Sequence, residues 1–403
     1  MKLGIIREGK VPPDKRVPLT PKQCAIIKEQ YPNVEVVVQK SEVRKIKDSE
    51  YAVAGISVVD DVSDCDILMG VKEVNKEDLI PNKTYLFFSH TFKKQPYNRD
   101  LLRTVLDKKI RLIDYEVLTN KRENRIIGFG RYAGIVGTYN GFLAFGKKHG
   151  LYDLKAANLC EDRVEMESEL DKVKLPSNAK IVLTGFGRVG HGAREIMGRL
   201  KMKEVSAEAF LNQDFEEPVY TQLEVDDYFA KENGEPFDKY AFYESGDGHV
   251  SSFDRYLKVA DMYIACHYWS SSSPYIYTRN DLKMPDLKTS VVADISCDID
   301  GPVASTIRPS TIAEPLYGYN PHTEQEDDYT KEGVICVMAV DNLPCELPKD
   351  ASEDFGNELI KNVLPHLFGE DTDGVIARAS QTNLQGHLAP RYQYLQAYVN
   401  GEE

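Results

Sequence analysis

Two series of short apolar runs, each alternating with polar stretches long enough to form a helix, constrain what this chain can fold into. The first series lies within residues 1–120, and the second restarts near Ala179. Strands that alternate with helices form a mostly parallel sheet with helices packed on its faces. At 403 residues the chain has the length of two ordinary domains. The pattern therefore predicts an α/β fold with two Rossmann-like, doubly wound parallel-sheet domains and a cleft between them.

Short apolar segments are predicted as the strands of these sheets. The segments of the first series are KLGIIRE, VEVVVQ, DILMGV, TYLFFSH and IRLIDYE, and those of the second are AKIVLTG, EVSAEAFL, VADMYIAC, SVVADIS and VICVMAV. Residues 211–256 are polar, acidic and rich in tyrosine. We interpret this segment as an excursion between early strands of the second sheet.

Two predicted helices mark where the chain leaves and re-enters the first domain. Residues 131–146 have apolar side chains at helical spacing, and their glycines suit close packing. Asp350 and Glu353 have the spacing of a capping box, before an apolar helical face that includes Phe355 and Leu359. We therefore assign 1–130 plus 341–403 to a substrate and catalytic domain, and 131–340 to a dinucleotide-binding Rossmann domain.

The charge balance restricts the partners of the chain. With 50 basic and 64 acidic residues the formal charge is −14, which repels phosphate backbones and anionic lipid. The first residues lack the apolar region of a signal peptide, and no apolar run approaches the roughly 18 residues of a membrane span. We expect a cytoplasmic protein, a monomer or homodimer, that binds a small-molecule substrate and neither nucleic acid nor membrane. Seven dispersed cysteines without a CxxC pair predict reduced thiols and no metal site.

Two segments fit a glycine-rich dinucleotide pattern, GFGRYA at 128–133 and GFGRVG at 185–190. Only the second directly follows a clean strand and opens a helix. In that context the glycines allow a tight turn, approach of the pyrophosphate and close helix packing, while the helix N-terminus offers N–H groups to phosphate. The predicted cofactor-binding residues of this loop are Gly185, Phe186, Gly187, Arg188, Val189 and Gly190.

The choice between NAD and NADP stays open at this point. An acidic residue at the end of the second Rossmann strand would contact the ribose of NAD. The segment EVSAEAFL is the expected strand, and its end offers Leu211 and Asn212, with Glu208 and Asp214 nearby. No arginine stands there for a 2′-phosphate.

Ionisable residues follow three consecutive strands of the first series. Lys72 and Glu73 follow DILMGV, His90 follows YLFFS, and Glu116 follows IRLIDY. One such residue is usually a solvated loop residue, but open α/β sheets bind ligands at the carboxyl ends of their strands. Three strand ends together favour a proton-transfer site of the kind that a dehydrogenase needs.

Arg16 and Lys93 are candidate ligands of substrate carboxylates. A guanidinium group offers a bidentate fork and an ammonium group a point charge. The alternative is that both belong to exposed basic loops, since charged loop residues are mostly solvated.

Several motifs occur in one order along the chain and carry a resemblance. They are RVPLTP, GVKEV, KTYLFFSHTFKKQ, IRLIDYE, GFGRYAG, GFGRVGHGA, VVADISCDIDG and VDNLPCELPKDAS. Nearly end to end, this order resembles the superfamily of alanine dehydrogenase, transhydrogenase and saccharopine dehydrogenase. KTYLFFSHTFKKQ, IRLIDYE and VDNLPCELPKDAS look most like saccharopine dehydrogenase, including the lysine-ketoglutarate reductase half of the bifunctional lysine-degrading enzyme.

The resemblance implies roles for individual residues. It implies that Lys72 and His90 are an acid–base pair and that the reaction uses no catalytic metal. The implied substrate-binding residues are Arg16, Glu73, Lys93, Glu116, Arg131 and Asp298. Asp298 is also implied to lie near the nicotinamide and to bind the cofactor. Asp341 is implied to bind the cofactor as well, and it is expected to begin the helix that returns to the first domain.

The reaction implied by the resemblance is the reversible conversion of saccharopine, the lysine–glutarate adduct, to lysine and 2-oxoglutarate with NAD or NADP. An alanine dehydrogenase would share Arg16, Lys72 and His90, and a dehydrogenase of another amino acid or secondary amine remains open. A nicotinamide-nucleotide sensor without turnover is a further alternative, although it would have no need of a proton-transfer pair. A transhydrogenase module is disfavoured by the lack of a membrane span.

Overall fold

The computed structural model describes residues 1–402 and divides the chain into two compact units. The first unit comprises Met1–Phe129 and Pro348–Glu403, and the second comprises Gly130–Leu347. The sequence places the corresponding boundaries after 130 and after 340. Each unit contains its own sheet with helices around it, so the predicted α/β fold is confirmed.

The elements are numbered in chain order. The strands are β1 (Lys2–Ile5), β2 (Glu35–Gln39), β3 (Ser57–Val59), β4 (Ile67–Met69), β5 (Thr84–Phe87), β6 (Arg111–Asp114), β7 (Lys180–Thr184), β8 (Lys203–Glu204), β9 (Val219–Leu223), β10 (Phe229–Lys231), β11 (His249–Ser251), β12 (Met262–Ala265), β13 (Val291–Asp294), β14 (Leu316–Asn320), β15 (Gln325–Asp327) and β16 (Ile335–Met338). The α-helices are α1 (Pro21–Gln30), α2 (Asp48–Val53), α3 (Arg99–Asp107), α4 (Gly130–His149), α5 (Arg163–Glu169), α6 (Arg188–Arg199), α7 (Ala207–Asn212), α8 (Lys239–Glu244), α9 (Asp254–Leu257), α10 (Pro348–Asn362), α11 (Leu364–Phe368), α12 (Val375–Ala379) and α13 (Gln396–Asn400).

The first unit is built on a six-stranded sheet in the order β3-β2-β1-β4-β5-β6, in which every pairing is parallel. The strand order reverses between β1 and β4, where Leu3 pairs with Ile67 and Ile5 with Met69. In sheets of this kind the crevice at the reversal, outside the carboxyl ends of the strands, is the usual ligand site.

Apolar side chains cover both faces of this sheet. Leu3 and Ile5 pack on one face in a cluster that includes residues of α1 and α10. Leu68 and Tyr85 pack on the other face in a cluster that includes residues of α3. Because both faces are buried, the strands read as continuous apolar runs and not as alternating patterns.

The second unit contains an eight-stranded sheet in the order β15-β14-β16-β13-β12-β7-β9-β8. The strands from β16 to β8 are parallel to one another, and β14 and β15 add an antiparallel edge. The order reverses between β7 and β12, which pair from Ile181 with Met262 to Thr184 with Ala265. The strands predicted at AKIVLTG, VADMYIAC, SVVADIS and VICVMAV are confirmed as β7, β12, β13 and β16.

The prediction of a strand at EVSAEAFL is wrong. Most of this segment is α7, whose N-cap Ser206 accepts a hydrogen bond from the backbone N–H of Ala209 at 3.2 Å. The strand next to β7 is β9, which is buried along its whole length. It lies inside 211–256, so the interpretation of that segment as an excursion is wrong for β9. Beyond β9 the segment forms an antiparallel ribbon of β10 and β11, together with α8.

The glycine-rich helix predicted near 131–146 is confirmed as α4. Its glycines allow backbone contact with α6. A Cβ atom at Gly134 would lie 1.9 Å from the carbonyl oxygen of Val189, and one at Gly192 would lie 2.0 Å from that of Arg131. The two helices therefore touch without an intervening layer of side chains, which confirms the predicted packing role of the α4 glycines.

The C-terminal helix is confirmed, but its predicted start is wrong. The helix α10 begins at Pro348, so Asp350 lies in its first turn and not at its N-cap. A proline suits the first turn because its fixed φ matches the helix and its missing N–H would have no partner there. Phe355 and Leu359 of the predicted apolar face are fully buried.

The contact between α4 and α6 predicts the effect of one added methyl group. We expect Gly134→Ala to destabilise the protein by about 2 kcal/mol or more, because overpacking forces a backbone shift. Gly198→Ala in α6 is the matched control, since its Cβ would have nothing within 4 Å. The control should be neutral or stabilising, because alanine is the better helix former. Urea unfolding midpoints of both variants check this, and equal midpoints would contradict the assigned contact.

Candidate active site

The carboxyl ends of three adjacent strands bring the predicted acid–base residues of the first unit to one edge of the sheet. Lys72 and Glu73 follow β4, His90 follows β5, and Glu116 follows β6. Since β4, β5 and β6 are parallel neighbours, their ends share one rim. This rim adjoins the reversal of strand order between β1 and β4.

Asp114, the last residue of β6, organises the loops that carry His90 and Glu116. Its Oδ2 accepts hydrogen bonds from the backbone N–H groups of Ser89 at 3.1 Å and His90 at 3.0 Å, and its Oδ1 accepts from that of Glu116 at 2.8 Å. Burial raises the pKa of the Asp114 carboxyl, although the hydroxyl of Ser89 also donates to it and lowers the pKa. These bonds hold His90 in the left-handed region with φ 56°, which is uncommon for a residue other than glycine.

Glu116 joins His90 and Lys93. Its Oε2 lies 2.7 Å from Nδ1 of His90, and its Oε1 lies 2.8 Å from Nζ of Lys93 and 3.9 Å from Nη1 of Arg125. Burial alone would raise the pKa of Glu116, but hydrogen bonds from His90 and Lys93 and the nearby positive charges lower it to about 2. Glu116 is therefore a carboxylate at neutral pH. A carboxylate at Nδ1 selects the tautomer with a proton on that nitrogen, so Nε2 is the nitrogen available for proton exchange.

Glu73 lies on the other side of the imidazole. Its Oε1 is 4.0 Å from Nε2 of His90, and its Oε2 forms an ion pair with Nζ of Lys10 at 2.6 Å. The side chain of Glu73 is only 10% exposed. Its Oε1 is buried and has no hydrogen-bond partner within residues 1–402. A buried carboxylate oxygen without a donor is costly, which favours a ligand group as its missing partner.

Lys72 is fixed through its backbone. Its N–H donates to Oε2 of Glu8 at 2.9 Å. In the described part of the chain its ammonium group forms no ion pair. Its charge helps to lower the pKa of Asp14, so the ammonium group lies within electrostatic reach of the Asp14–Arg16 pair.

Arg16 is buried at the same rim, so the alternative that it belongs to an exposed loop is wrong. Its Nε and Nη2 donate to the two oxygens of Asp14 at 3.0 Å and 2.6 Å, and its guanidinium lies 4.1 Å from the ring centroid of Phe129. Burial raises the pKa of Asp14, but Arg16 outweighs burial and the pKa is lowered. The guanidinium plane is thus fixed by a bidentate ion pair and by an aromatic ring.

The predicted nucleotide loop of the second unit has the expected local structure. The strand β7 ends at Thr184, Gly185 has φ 89°, and α6 starts at Arg188 with Gly187 as its N-cap. A Cβ at Gly190 would lie 2.2 Å from the carbonyl oxygen of Gly185, whereas one at Gly187 would meet nothing within 4 Å. The open side of Gly187, beside the N–H groups that begin α6, fits a pyrophosphate group. Phe186 and Val189 flank this position in the loop.

Glu224 directly follows β9, the strand beside the nucleotide loop. The backbone N–H of Gly185 donates to the carbonyl oxygen of Leu223 at 3.1 Å. The side-chain amide of Gln222 donates to the carbonyl oxygen of Gly185 at 2.6 Å. The carboxylate of Glu224 pairs with Nζ of Lys239. Glu224 therefore stands at the strand end where an acidic ribose ligand is expected, whereas Glu208, Leu211 and Asn212 lie in α7.

The remaining predicted residues lie in the second unit. Arg131 forms ion pairs with both oxygens of Glu195, at 2.6 Å and 2.9 Å, which gives its guanidinium a structural partner. Asp298 is half-buried in the loop after β13, and burial raises its pKa. Asp341 is exposed just after β16 and lies before a short 3-10 turn, Leu343–Glu346, so the prediction that it begins the returning helix is wrong.

The described residues also bear on other kinds of site. Residues 1–402 contain no group of three or more histidine, cysteine or acidic side chains arranged to hold a metal ion. None of their helices is long and apolar enough to cross a membrane. All seven cysteines are free thiols, as predicted.

Comparisons with known proteins agree with this geometry. Residues 4–136 match the family model of the alanine dehydrogenase/PNT N-terminal domain. An alpha-aminoadipic semialdehyde synthase of Arabidopsis thaliana is 29% identical over 98% of this chain, and a saccharopine dehydrogenase [NAD(+), L-lysine-forming] of Neurospora crassa is 26% identical over 91%. The chain is similar to saccharopine dehydrogenases over most of its length, and its N-terminal third is similar to the alanine dehydrogenase/PNT family. It spans 41% of the Arabidopsis protein and 92% of the Neurospora protein.

Two solved structures have the same fold. An L-alanine dehydrogenase matches with a TM-score of 0.65 and 17% identity, covering 99% of this chain and 100% of its own. A transhydrogenase from Sinorhizobium meliloti matches with a TM-score of 0.57 and 14% identity, covering 96% and 98%. At these identities the likeness concerns the fold alone.

Three residues of the site escaped the sequence-based prediction. Glu224 was missed because β9, with the sequence VYTQL, contains polar residues that looked exposed but are buried. Asp14 stands two positions before Arg16, and a carboxylate so close to a buried arginine was a signal that could have been used. Glu8 acts on a backbone 63 and 64 positions away, a contact that one sequence does not reveal.

The low pKa of Glu116 predicts a pH-dependent contribution to stability. A carboxyl whose pKa is lower in the folded state stabilises the fold above its unfolded pKa of about 4.5 and loses that effect as the pH falls toward 2. We expect Glu116→Gln to lower the free energy of unfolding by about 2–3 kcal/mol at pH 7 and by much less near pH 3. Urea titrations at both pH values measure this. Glu123→Gln, which removes an exposed pair with Arg391, should change little at either pH.

Proposed function

We propose that this chain is an oxidoreductase that interconverts saccharopine with lysine and 2-oxoglutarate, using a nicotinamide nucleotide. The observation that carries the proposal is the grouping of Lys72, His90 and Glu116 at one strand-end rim. The name of the Neurospora relative, which matches over most of both chains, supports saccharopine as the substrate. Substrate binding is assigned to the first unit and nucleotide binding to the second.

The substrate contacts follow from charge. Saccharopine carries carboxylates at both ends, and the rim offers the buried guanidinium of Arg16 and the ammonium group of Lys93. The two are suited to different tasks, because Arg16 is held rigidly by Asp14 while Lys93 is a partly exposed point charge. These cations give the substrate carboxylates local partners in a chain that is acidic overall. Glu73 supplies a buried oxygen for a substrate N–H group.

Proton transfer is assigned to Lys72 and His90. A nicotinamide nucleotide, which the glycine loop at 185–190 would hold, would supply the hydride acceptor for oxidation of saccharopine and the hydride donor for the reverse direction. The neutral amine form of Lys72 takes the proton from the secondary amine as the C–N bond becomes an imine. Nε2 of His90 then removes a proton from the water that attacks the imine carbon, and collapse of the adduct gives lysine and 2-oxoglutarate. Glu116 keeps the imidazole oriented throughout, since it stays ionised.

The proposed cofactor is NAD. A carboxylate at the end of the second Rossmann strand accepts hydrogen bonds from the ribose hydroxyls of NAD and repels the 2′-phosphate of NADP. Glu224 occupies this position beside Gly185. Its partner Lys239 neutralises part of the negative charge, so some activity with NADP is expected.

An absorbance assay of the reduced nicotinamide tests the function. Saccharopine is offered with NAD or NADP, and lysine plus 2-oxoglutarate with NADH or NADPH. We expect turnover in both directions, faster with NAD and NADH. Pyruvate with ammonia and NADH is the comparison reaction of an alanine dehydrogenase. No rate in the first four reactions, while nucleotide binding is retained, would refute the proposal.

Lys72→Met removes the proposed base without introducing a charge. We expect kcat to fall by about 10²- to 10⁴-fold, the usual contribution of general acid–base catalysis. The dissociation constant of NADH should change by less than about twofold, because the nucleotide loop lies in the other unit. Lys76→Met, in the exposed turn after Asn75, is the matched control and should retain full activity. Near-normal turnover of Lys72→Met would remove Lys72 from the mechanism.

Glu224→Gln tests the cofactor assignment. Removing the negative charge should raise the ratio of kcat/KM for NADP to that for NAD by about tenfold or more, which corresponds to about 1.4 kcal/mol. Glu217→Gln is the matched control, because Glu217 precedes β9 at the opposite end of the same strand. A ratio that is unchanged in Glu224→Gln would show that Glu224 does not face the ribose.

A further inference from the structure

The strand pairing between β1 and β4 is continued by a side chain. The last backbone bond of this pair runs from the N–H of Ile6 to the carbonyl oxygen of Met69 at 2.9 Å. Beyond this bond the backbones that follow β1 and β4 separate, because the strand order reverses between these two strands. Oε1 of Glu8 then accepts from the backbone N–H of Val71 at 2.6 Å, and its Oε2 accepts from that of Lys72 at 2.9 Å. One carboxylate thus supplies acceptors for both backbone N–H groups just beyond this pairing.

The segment that carries Lys72 is held from its other side by β5. The N–H of Gly70 donates to the carbonyl oxygen of Leu86 at 3.0 Å, and the N–H of Phe88 donates to that of Val71 at 2.9 Å. A Cβ at Gly70 would lie 3.3 Å from Oε1 of Glu8, so glycine leaves room for the carboxylate. With Glu8 in place, the backbone before Lys72 has partners on both sides.

We propose that Glu8 is a positioning residue that holds the backbone of Lys72 at the reacting position. The inference rests on the proposed function, in which Lys72 is the base. The carboxylate of Glu8 accepts a hydrogen bond from the backbone N–H of Lys72. Glu8 therefore affects the position of the Lys72 backbone, from which the side chain extends. A displacement of about 1 Å at a catalytic group can cost about 10²-fold in rate. Glu8 therefore acts on turnover through Lys72 and not through substrate contact.

Ionisation of Glu8 controls how well it can accept two hydrogen bonds. Glu8, Lys72 and Glu73 line one cavity of about 90 Å³. Burial raises the pKa of Glu8 to about 7, against the opposing effect of its two backbone hydrogen bonds. The charged or titratable groups around it are Arg7, Asp14, Arg16, Lys72, Glu73, Asp78, Tyr85 and Tyr115. Below about pH 7 the protonated carboxyl loses one good acceptor oxygen.

The test compares Glu8→Gln with Asp78→Asn in the full chain. Asp78 lines the same cavity but bonds to Asn75 and not to the backbone of Val71 or Lys72. The first measurement is amide hydrogen exchange of the peptide that contains Val71 and Lys72, and the second is steady-state kinetics. For Glu8→Gln we expect faster exchange there, a fall in kcat of about 10- to 100-fold at pH 8, and KM values within about threefold. Asp78→Asn should match the wild type in all three.

The pH dependence separates positioning from a purely structural role. Because protonated Glu8 resembles glutamine, the ratio of wild-type to Glu8→Gln kcat should shrink as the pH falls from 8 to 6. A ratio that is constant with pH would overturn the positioning role. If Glu8→Gln does not fold, Glu8→Asp is measured instead. This variant keeps the charge on a shorter side chain, so the same changes in amide exchange and kcat are expected with smaller magnitude.

The outcomes distinguish this inference from the proposed function. If the wild type has no activity on any of the four substrate pairs, the proposed function fails, while amide exchange still decides whether Glu8 holds Lys72. Unchanged exchange at Val71 and Lys72 in the glutamine variant would overturn the inference whatever the kinetics. Faster exchange with kcat equal to that of Asp78→Asn would also overturn it.

Discussion

Each sheet of this protein depends on one parallel pairing at which the strand order reverses, β1 with β4 in the first unit and β7 with β12 in the second. At such a pairing the segments that follow the two neighbouring strands lead to opposite faces of the sheet. The backbone groups just beyond the last paired residues then need other partners, because buried N–H and C=O groups are rarely left unpaired. In the first unit Glu8 meets this need, and in the second the backbone N–H of Gly185 donates to the carbonyl oxygen of Leu223.

The same constraint explains why charged residues gather at the rim of the first unit. A carboxylate buried beside strand ends is tolerable only when donors surround it. Asp114 is surrounded by backbone N–H groups, Asp14 by Arg16, and Glu116 by His90 and Lys93. The orientation of His90 is thus a consequence of how two neighbouring carboxylates are satisfied. The negative net charge of the whole chain does not describe this rim, where Asp14, Asp114 and Glu116 are each matched locally.

Much of the architecture could be predicted from the sequence because buried parallel strands leave uninterrupted apolar runs. That signal located β1, β4, β5 and β6, and with them the positions of Lys72, His90 and Glu116. The prediction failed for β9, where buried threonine and glutamine resemble a loop, and for EVSAEAFL, where the capping serine outweighs the apolar residues. Glu224 was lost with the strand that carries it.

Other parts of the site lie beyond what periodicity can indicate. The left-handed backbone of His90 follows from bonds to Asp114, which is 24 positions away. The burial of Arg16 depends on Phe129 and on Asp14 together. Such contacts are set by tertiary packing, and a pattern of residue types along one chain does not record them.

The direct backbone contact between α4 and α6 has a mechanical consequence. Side chains between two helices act as a compliant layer, since they can change rotamer when one helix shifts by a fraction of an ångström. Gly134 and Gly192 remove that layer. Any adjustment of α6 that accompanies occupancy of the loop at its N-terminus must therefore be shared by α4, so the two helices move as one body. The glycines of α4 thus limit how far the nucleotide loop can change independently of the helix behind it.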